Sequence, residues 1–261
     1  ALGFRSLHGS SNPANNTGIH NTAIGFETMF SNTTGIENNA VGYQSLVNNT
    51  TGSQNTATGY ESLKSNTTGL ENTATGYRAL LDNTTGYRNT AIGVMSSENN
   101  TTGSQNVNIG FQSLLTNVSG WGSVAIGYGS MANANSSTTS HSTANTAVGF
   151  MSLIGSTNAA ANTGRENTAI GYVSLYSNSS GQRNTANGSY ALFNNTTGSD
   201  NTASGYAGLY SNTTGDKNVA NGYQTLFYNT TGERNVANGY KTLFSNTTGS
   251  YSVGIGPEAL Q

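Results

Sequence analysis

The chain of 261 residues has no cysteine, which excludes disulfides, thiolate metal sites and thiol catalysis. Charge is sparse, 8% of residues with a net value of −2, so there is no basic face for nucleic acid or an anionic membrane. No apolar run is long enough to span a bilayer, and no membrane insertion is expected of this segment. The three histidines, His8, His20 and His141, are far apart, and the carboxylates sit at variable positions such as Glu27, Glu61 and Asp216. No spacing of these groups suggests a metal site, a cofactor or a catalytic set, and a non-enzymatic role is expected. Hydrophobic residues make up only 33%. That value accompanies disorder when net charge is high and no apolar pattern persists. Here Ala, Leu and Tyr return in strict register, so an ordered chain is expected.

What is present is one unit, Asn-Thr-Ala-x-Gly-Tyr-x-x-Leu-x-x-Asn-Thr-Thr-Gly-x-x, repeated along the chain. Its first glycine recurs at a constant interval, as at Gly42, Gly59, Gly76 and Gly93, and the series runs from Gly3 to Gly256. The interval lengthens from Gly3 to Gly25, from Gly127 to Gly149 and from Gly149 to Gly171, each time by the same amount. In Asn55–Asn72 the two glycines, Gly59 and Gly69, supply turn chemistry, with Asn66 three residues before the second. Stretches of four to six residues between turns have strand length, and the Gly, Thr and Asn content opposes helix. The reading is all-β: a parallel β-solenoid (β-roll) of about fifteen 17-residue coils, each with two short strands and two turns, forming a single domain over residues 1–261. Coils stacked about 4.8 Å apart would make a rod on the order of 70 Å long. The chain begins inside one unit and ends inside another, from which a segment of a longer protein is expected.

Stacking turns repeated residues into ladders. One is small, including Ala57 and Ala74; one is aliphatic, including Leu63 and Leu80; one is aromatic, including Tyr60 and Tyr77. These are the candidate core and interface positions. The apolar supply per coil is thin, and a narrow alanine seam favours close approach of chains, so self-association as a parallel homotrimer is the preferred reading.

Gly122-Ser123-Val124-Ala125-Ile126-Gly127-Tyr128-Gly129-Ser130-Met131-Ala132 resembles the head repeat of YadA-like trimeric autotransporter adhesins. Asn21-Thr22-Ala23-Ile24-Gly25 and Asn167-Thr168-Ala169-Ile170-Gly171 look like the same half-unit. The resemblance implies a left-handed parallel β-roll that trimerises and binds host matrix or other surfaces. The longer unit with Asn-Thr-Thr-Gly is also similar to shaft repeats of phage-type tail fibres. The coil is longer than the adhesin family's, and no heptad neck follows.

The lengthened intervals place extra loops around Ser10–Ala14, Ala134–His141 and Thr157–Ala161. Insertions in a solenoid leave the core as loops, and they also accumulate by drift at little thermodynamic cost. Trp121, Asn135, His141 and Asn158 are the candidate receptor-binding residues, with a surface receptor or a glycan as partner. Asn-x-Ser/Thr recurs from Asn32 to Asn246 and matches a glycosylation acceptor, although a turn ladder needs the same residues. The paired threonines, such as Thr67-Thr68, suggest an ice-binding array, but adjacent residues of a strand point to opposite sides. The functional reading is an extracellular structural or adhesive fibre, an adhesin head or tail-fibre shaft on a cell or virion surface. A self-assembling filament subunit is the alternative, and an ice-binding solenoid is the third reading.

Overall fold

A computed structural model describes residues 1–261 apart from the Pro13 side chain. The chain is an all-β parallel solenoid of about 14 coils. Its contacts divide it into two units, Ala1–Ser123 with Ser136–Ser142, and Val124–Asn135 with Thr143–Gln261.

In the first unit the strands Thr22–Ile24, Asn39–Val41, Thr56–Thr58, Thr73–Thr75, Thr90–Ile92 and Val107–Ile109 pair in parallel. The register follows the period: Ala40 lies against Ala57 and Ala57 against Ala74. The second unit repeats this, with Ala186 against Ala203 and Ala203 against Ala220. The regular coils hold one strand of three residues where two were expected. The segment after the strand closes the coil by another route. From Gly42 (φ 138°) through Gln44 (50°) to Leu46 (51°), φ is positive at alternate residues. The alternation sends backbone groups both ways along the stack. The Gln44 amide donates back to the Phe26 carbonyl at 2.9 Å, and the Leu46 amide donates forward to the Ser62 carbonyl at 3.1 Å.

A left-handed conformation costs a non-glycine residue roughly 1–2 kcal/mol. Each of these residues offsets that cost with a backbone hydrogen bond to the neighbouring coil and, at every second position, with a buried side chain. The geometry explains the choice of aliphatic residue. A β-branched side chain is a genuine outlier at positive φ, and among the non-glycine residues found there Val173 is the one β-branched residue. Leu63 and Leu80 therefore occupy positions that Ile or Val would strain. Glycine is needed at Gly42 for a second reason: a Cβ there would collide with the Gly59 carbonyl.

The side chains of Ala57, Ala74, Leu63 and Leu80 are fully buried inside the single chain. This removes the alanine ladder as a seam between chains, since its surface is already consumed within the coil. Tyr60 and Tyr77 are not core residues. They are 44% and 42% exposed and stack on the outside, 5.3 Å apart and 12° from parallel.

Two asparagine ladders complete the interior. Asn66 Nδ2 donates to Asn49 Oδ1 at 2.8 Å and to the Gly69 carbonyl at 3.2 Å. Asn55 donates its amide N–H and Nδ2 to Asn38 Oδ1, at 3.0 and 3.2 Å, and Nδ2 also to the Gly69 carbonyl at 2.8 Å. Asn49, Asn66, Asn83, Asn195, Asn212 and Asn229 are buried, so the repeated Asn-x-Thr sequence serves the stack and its amides are closed to a glycan in the folded chain. The paired threonines divide their labour: Thr67 Oγ1 donates to the Thr84 carbonyl at 3.1 Å, while Thr68 is exposed.

One level of the first unit departs from the consensus. Ser97 stands in the leucine ladder and Asn108 in the alanine ladder of the next strand. Ser96 Oγ donates to the Asn108 carbonyl at 3.0 Å, which sets the two positions close together. Both are buried, and Ser97 Oγ, Asn108 Oδ1 and Asn108 Nδ2 have no partner. A lost leucine is thus compensated in volume by an enlarged alanine site, but with three unpaired polar atoms. The double variant S97L/N108A is expected to be more stable than the wild type, whereas S97L alone overpacks and N108A alone opens a cavity. A denaturation cycle should give a coupling of about 1–3 kcal/mol; additive single effects would refute the compensation.

Candidate functional site

The three insertions do not fold alike. The first and third each contain one 3-10 turn, Pro13–Asn15 and Ala159–Ala161, and each is closed by an asparagine. Asn16 Oδ1 accepts the Ser10 amide at 2.7 Å, and Asn162 Oδ1 accepts the Ser156 amide at 2.9 Å. Asn158 is exposed at the start of the third insertion's turn.

The middle insertion returns to the solenoid. His141–Ser142 pairs in parallel with Gly120–Trp121, adding a two-stranded sheet where other coils have an irregular turn. Ser119 Oγ bonds the carbonyls of Ser137 and Thr139 at 2.7 and 2.8 Å, which fastens the loop to the coil. His141 Nδ1 lies 2.8 Å from the Thr139 carbonyl, so its ring is engaged within the loop. Asn135, expected on a raised loop, is buried. Of the four residues singled out in the sequence, Trp121 and His141 are brought to the same strand pair. Asn158 belongs to a separate loop of the second unit.

Trp121 borders a cleft of about 290 Å³ lined by Tyr87, Thr102, Ser104, Gln105, Trp121 and Ser140. Its origin is a single column of the repeat, the residue after the second glycine: Tyr87, Ser104 and Trp121 in successive coils. Both aromatic side chains are exposed, 43% for Tyr87 and 40% for Trp121. Ser104 between them is buried, and its hydroxyl is turned inward, accepting the Tyr87 amide at 3.1 Å and donating to the Thr102 carbonyl at 3.2 Å. The two aromatic residues are therefore separated by a gap one coil wide, two strand spacings or roughly 9.6 Å from column to column. The Arg88 guanidinium lies 5.7 Å from the centre of the Tyr87 ring and is paired with Glu71 at 2.8 Å. That hydrogen bond draws the Glu71 carboxyl below its ordinary value and raises Arg88, so both stay charged. The cleft is left with neutral polar groups and two aromatic walls. It suits an uncharged, flat or ring-shaped ligand group. The signal for Tyr87 and Ser104 was present in the sequence as a column with the period of the repeat, visible once the residue after the second glycine is followed from coil to coil.

Among the described residues, no group of three or more His, Asp or Glu side chains converges as a metal site, and no helix is long and apolar enough to cross a membrane. The carboxylates of Glu61, Glu98 and Asp200 are held by Lys64, Arg78 and Arg183 at 2.6, 3.0 and 2.7 Å. No protein-family model, curated protein or solved structure matches the chain.

Proposed function

We propose that this chain is a non-enzymatic structural and adhesive fibre segment, displayed outside the cell or on a virion, that attaches to a surface through the cleft beside Trp121. The carrying observation is the middle insertion, which pairs with the solenoid instead of hanging free and sets Ser140 beside an exposed tryptophan. Regular coils use their polar groups on one another, which suits a stiff spacer. A short serine between two exposed aromatic residues is where such a spacer gains specificity. Adhesin-head and tail-fibre likeness in the half-units points the same way.

Self-association as a homotrimer belongs to this reading, with a changed interface. The alanines are internal, so the face available to another chain is the outer surface of the strands, where Ile24, Ile92, Val107 and Ile109 are 36–41% exposed. The end-to-end filament is the alternative assembly. Ice binding gains one specific observation. Thr56 and Thr58 flank buried Ala57, and Thr73 and Thr75 flank buried Ala74, so both hydroxyls of each pair lie on the same outer face. The Thr-x-Thr spacing absent from the paired threonines is thus present in the strands.

Beads coated with dextran, chitin or gelatin provide the attachment test. The intact chain should bind at least one coating, and W121A should lose about tenfold or more without a change in melting temperature. Filling the gap with S104L, the residue type at Leu70 of the same column, should do likewise. Attachment to none of the coatings, or an unaffected W121A, would remove the cleft from the reading. Light scattering should give a mass three times the chain's 26.9 kDa. The mass of a single chain rejects the trimer, and high polymer favours the filament. Ice shaping or thermal hysteresis that is lost in T56V/T58V/T73V/T75V would move the assignment to ice binding, and its absence would discard that reading.

A further inference from the structure

In the second unit the outer surface carries two aromatic columns. Tyr206, Tyr223 and Tyr240 follow the first glycine of their coils, with ring centres 5.3 and 5.4 Å apart and planes within 12° of parallel. Phe193, Tyr210 and Phe227, four residues further along each coil, stack at 5.2 and 4.9 Å, within 4° of parallel. Stacked rings cover one another's faces and present edges to solvent. Between the columns each coil has two residues with positive φ, a buried leucine and, just after the first column, Tyr190, Ala207 or Gln224.

Two substitutions interrupt this pattern. Ser189 replaces the aromatic residue of the first column, and the Tyr190 ring stands crosswise in its place. It lies 65° from Tyr172 and 69° from Tyr206, at centre distances of 5.5 and 5.8 Å, and 53° and 52° from Phe193 and Tyr210. No neighbouring ring lies parallel to it, so the continuous stack of the first column is broken at this level. In the next coil the intervening residue is Ala207, buried and too short to fill the space between columns. The result is an open groove of about 350 Å³ lined by Tyr190, Tyr206, Ala207, Tyr210, Gln224 and Phe227. That volume is in the range of small-ligand sites.

The lining chemistry narrows the ligand. None of the six lining residues carries an ionised side chain at neutral pH. Burial, and then the Tyr172, Tyr206 and Tyr210 phenols, push the Tyr190 hydroxyl above its ordinary value, so it stays a neutral donor. The Gln224 amide supplies both a donor and an acceptor at one end of the groove. Aromatic faces beside a few uncharged hydrogen-bonding groups match a molecule with an apolar face and a polar rim. A charged ligand would meet no counter-charge, and a purely aliphatic one would waste the amide and the phenols.

We propose that this groove binds one neutral pyranose ring of a surface glycan, with its C–H face on Tyr190, its body over Ala207 and its hydroxyls on Gln224 and the flanking tyrosines. The site rests on the adhesive half of the function proposed above and adds a second contact with a defined ligand class.

The test uses the intact chain and soluble neutral oligosaccharides of glucose, galactose, mannose and N-acetylglucosamine, titrated by calorimetry, with sialylated and sulfated oligosaccharides as charged comparators. At least one neutral oligosaccharide should bind saturably. A207Q should weaken it about tenfold or more by filling the groove. Glutamine is compatible with that backbone, since Gln224 holds the same place one coil later at φ 51° against 54° for Ala207. Q224A should weaken binding while leaving the groove open, so a loss shared by both variants, with circular dichroism and melting temperature unchanged, is not a folding defect. Binding of charged oligosaccharides alone, no binding at all, or affinity unaltered in both variants would overturn the proposal. Bead attachment measured in parallel separates the two readings. If the wild type attaches and W121A does not, while no soluble sugar binds, the groove fails and the adhesive reading stands; if neither assay responds, both fall.

Discussion

A buried asparagine amide needs a donor for its oxygen and an acceptor for its nitrogen, and this chain supplies both from copies of the same residue in neighbouring coils. Asn66 donates to Asn49, and Asn83 donates to Asn66, each at 2.8 Å. The arrangement works only if the amides arrive at the same height in each coil, which holds the coil to one fixed length. Leaving one such amide unpaired in the interior would cost about 1–3 kcal/mol. The third insertion spares the second asparagine ladder. Between Asn145 and Asn167 the extra residues loop out, and the chain returns so that the Asn167 amide still donates to Asn145 Oδ1 at 2.9 Å. The other ladder restarts after this insertion, where Asn178 Nδ2 donates only to the Gly181 carbonyl, and the middle insertion gives Trp121 its strand partner, Ser142.

The same economy explains the thin core. One alanine and one leucine per coil fill the interior, and the closing segment alternates the sign of φ to turn the leucine inward. Ladder hydrogen bonds carry what a larger core would supply in a globular domain. The outer surface is then released from structural duty at many positions. Aromatic residues such as Tyr60, Tyr77, Tyr206 and Tyr223 stand there at 42–45% exposure, and clefts open where a short residue, Ser104 or Ala207, lies beside such rings. A site in this architecture arises by removing a side chain from a column. This differs from a loop-built active site, in which residues converge from separate elements.

Much of this was legible beforehand. The glycine spacing implied parallel stacking with a register of one unit, and the pairing of Ala57 with Ala74 follows it. The burial of Leu63 and Leu80 also agreed with their columns. The second strand per coil was misread because Gly-Tyr-x-x-Leu has strand length and places Tyr and Leu on opposite sides, as a strand does. Nothing local marks Glu61 or Leu63 for positive φ; the stacked neighbours impose it through their carbonyls. The two clefts are marked by no insertion alone; their signal is a short residue, Ser104 or Ala207, seen only when equivalent positions are compared across coils.

The sequence by itself determined the period, the parallel register and which residues share a column, because identical units satisfy their polar groups best against their own copies. Which way each column faces was decided only by the closed coil. The coil closes through turns whose φ signs send Ala57 and Leu63 inward and Tyr60 outward. The tertiary structure likewise decided that Trp121 lies beside Tyr87 and Ser140, and Tyr190 beside Tyr206, since those neighbours are set by stacking between coils rather than by closeness along the chain.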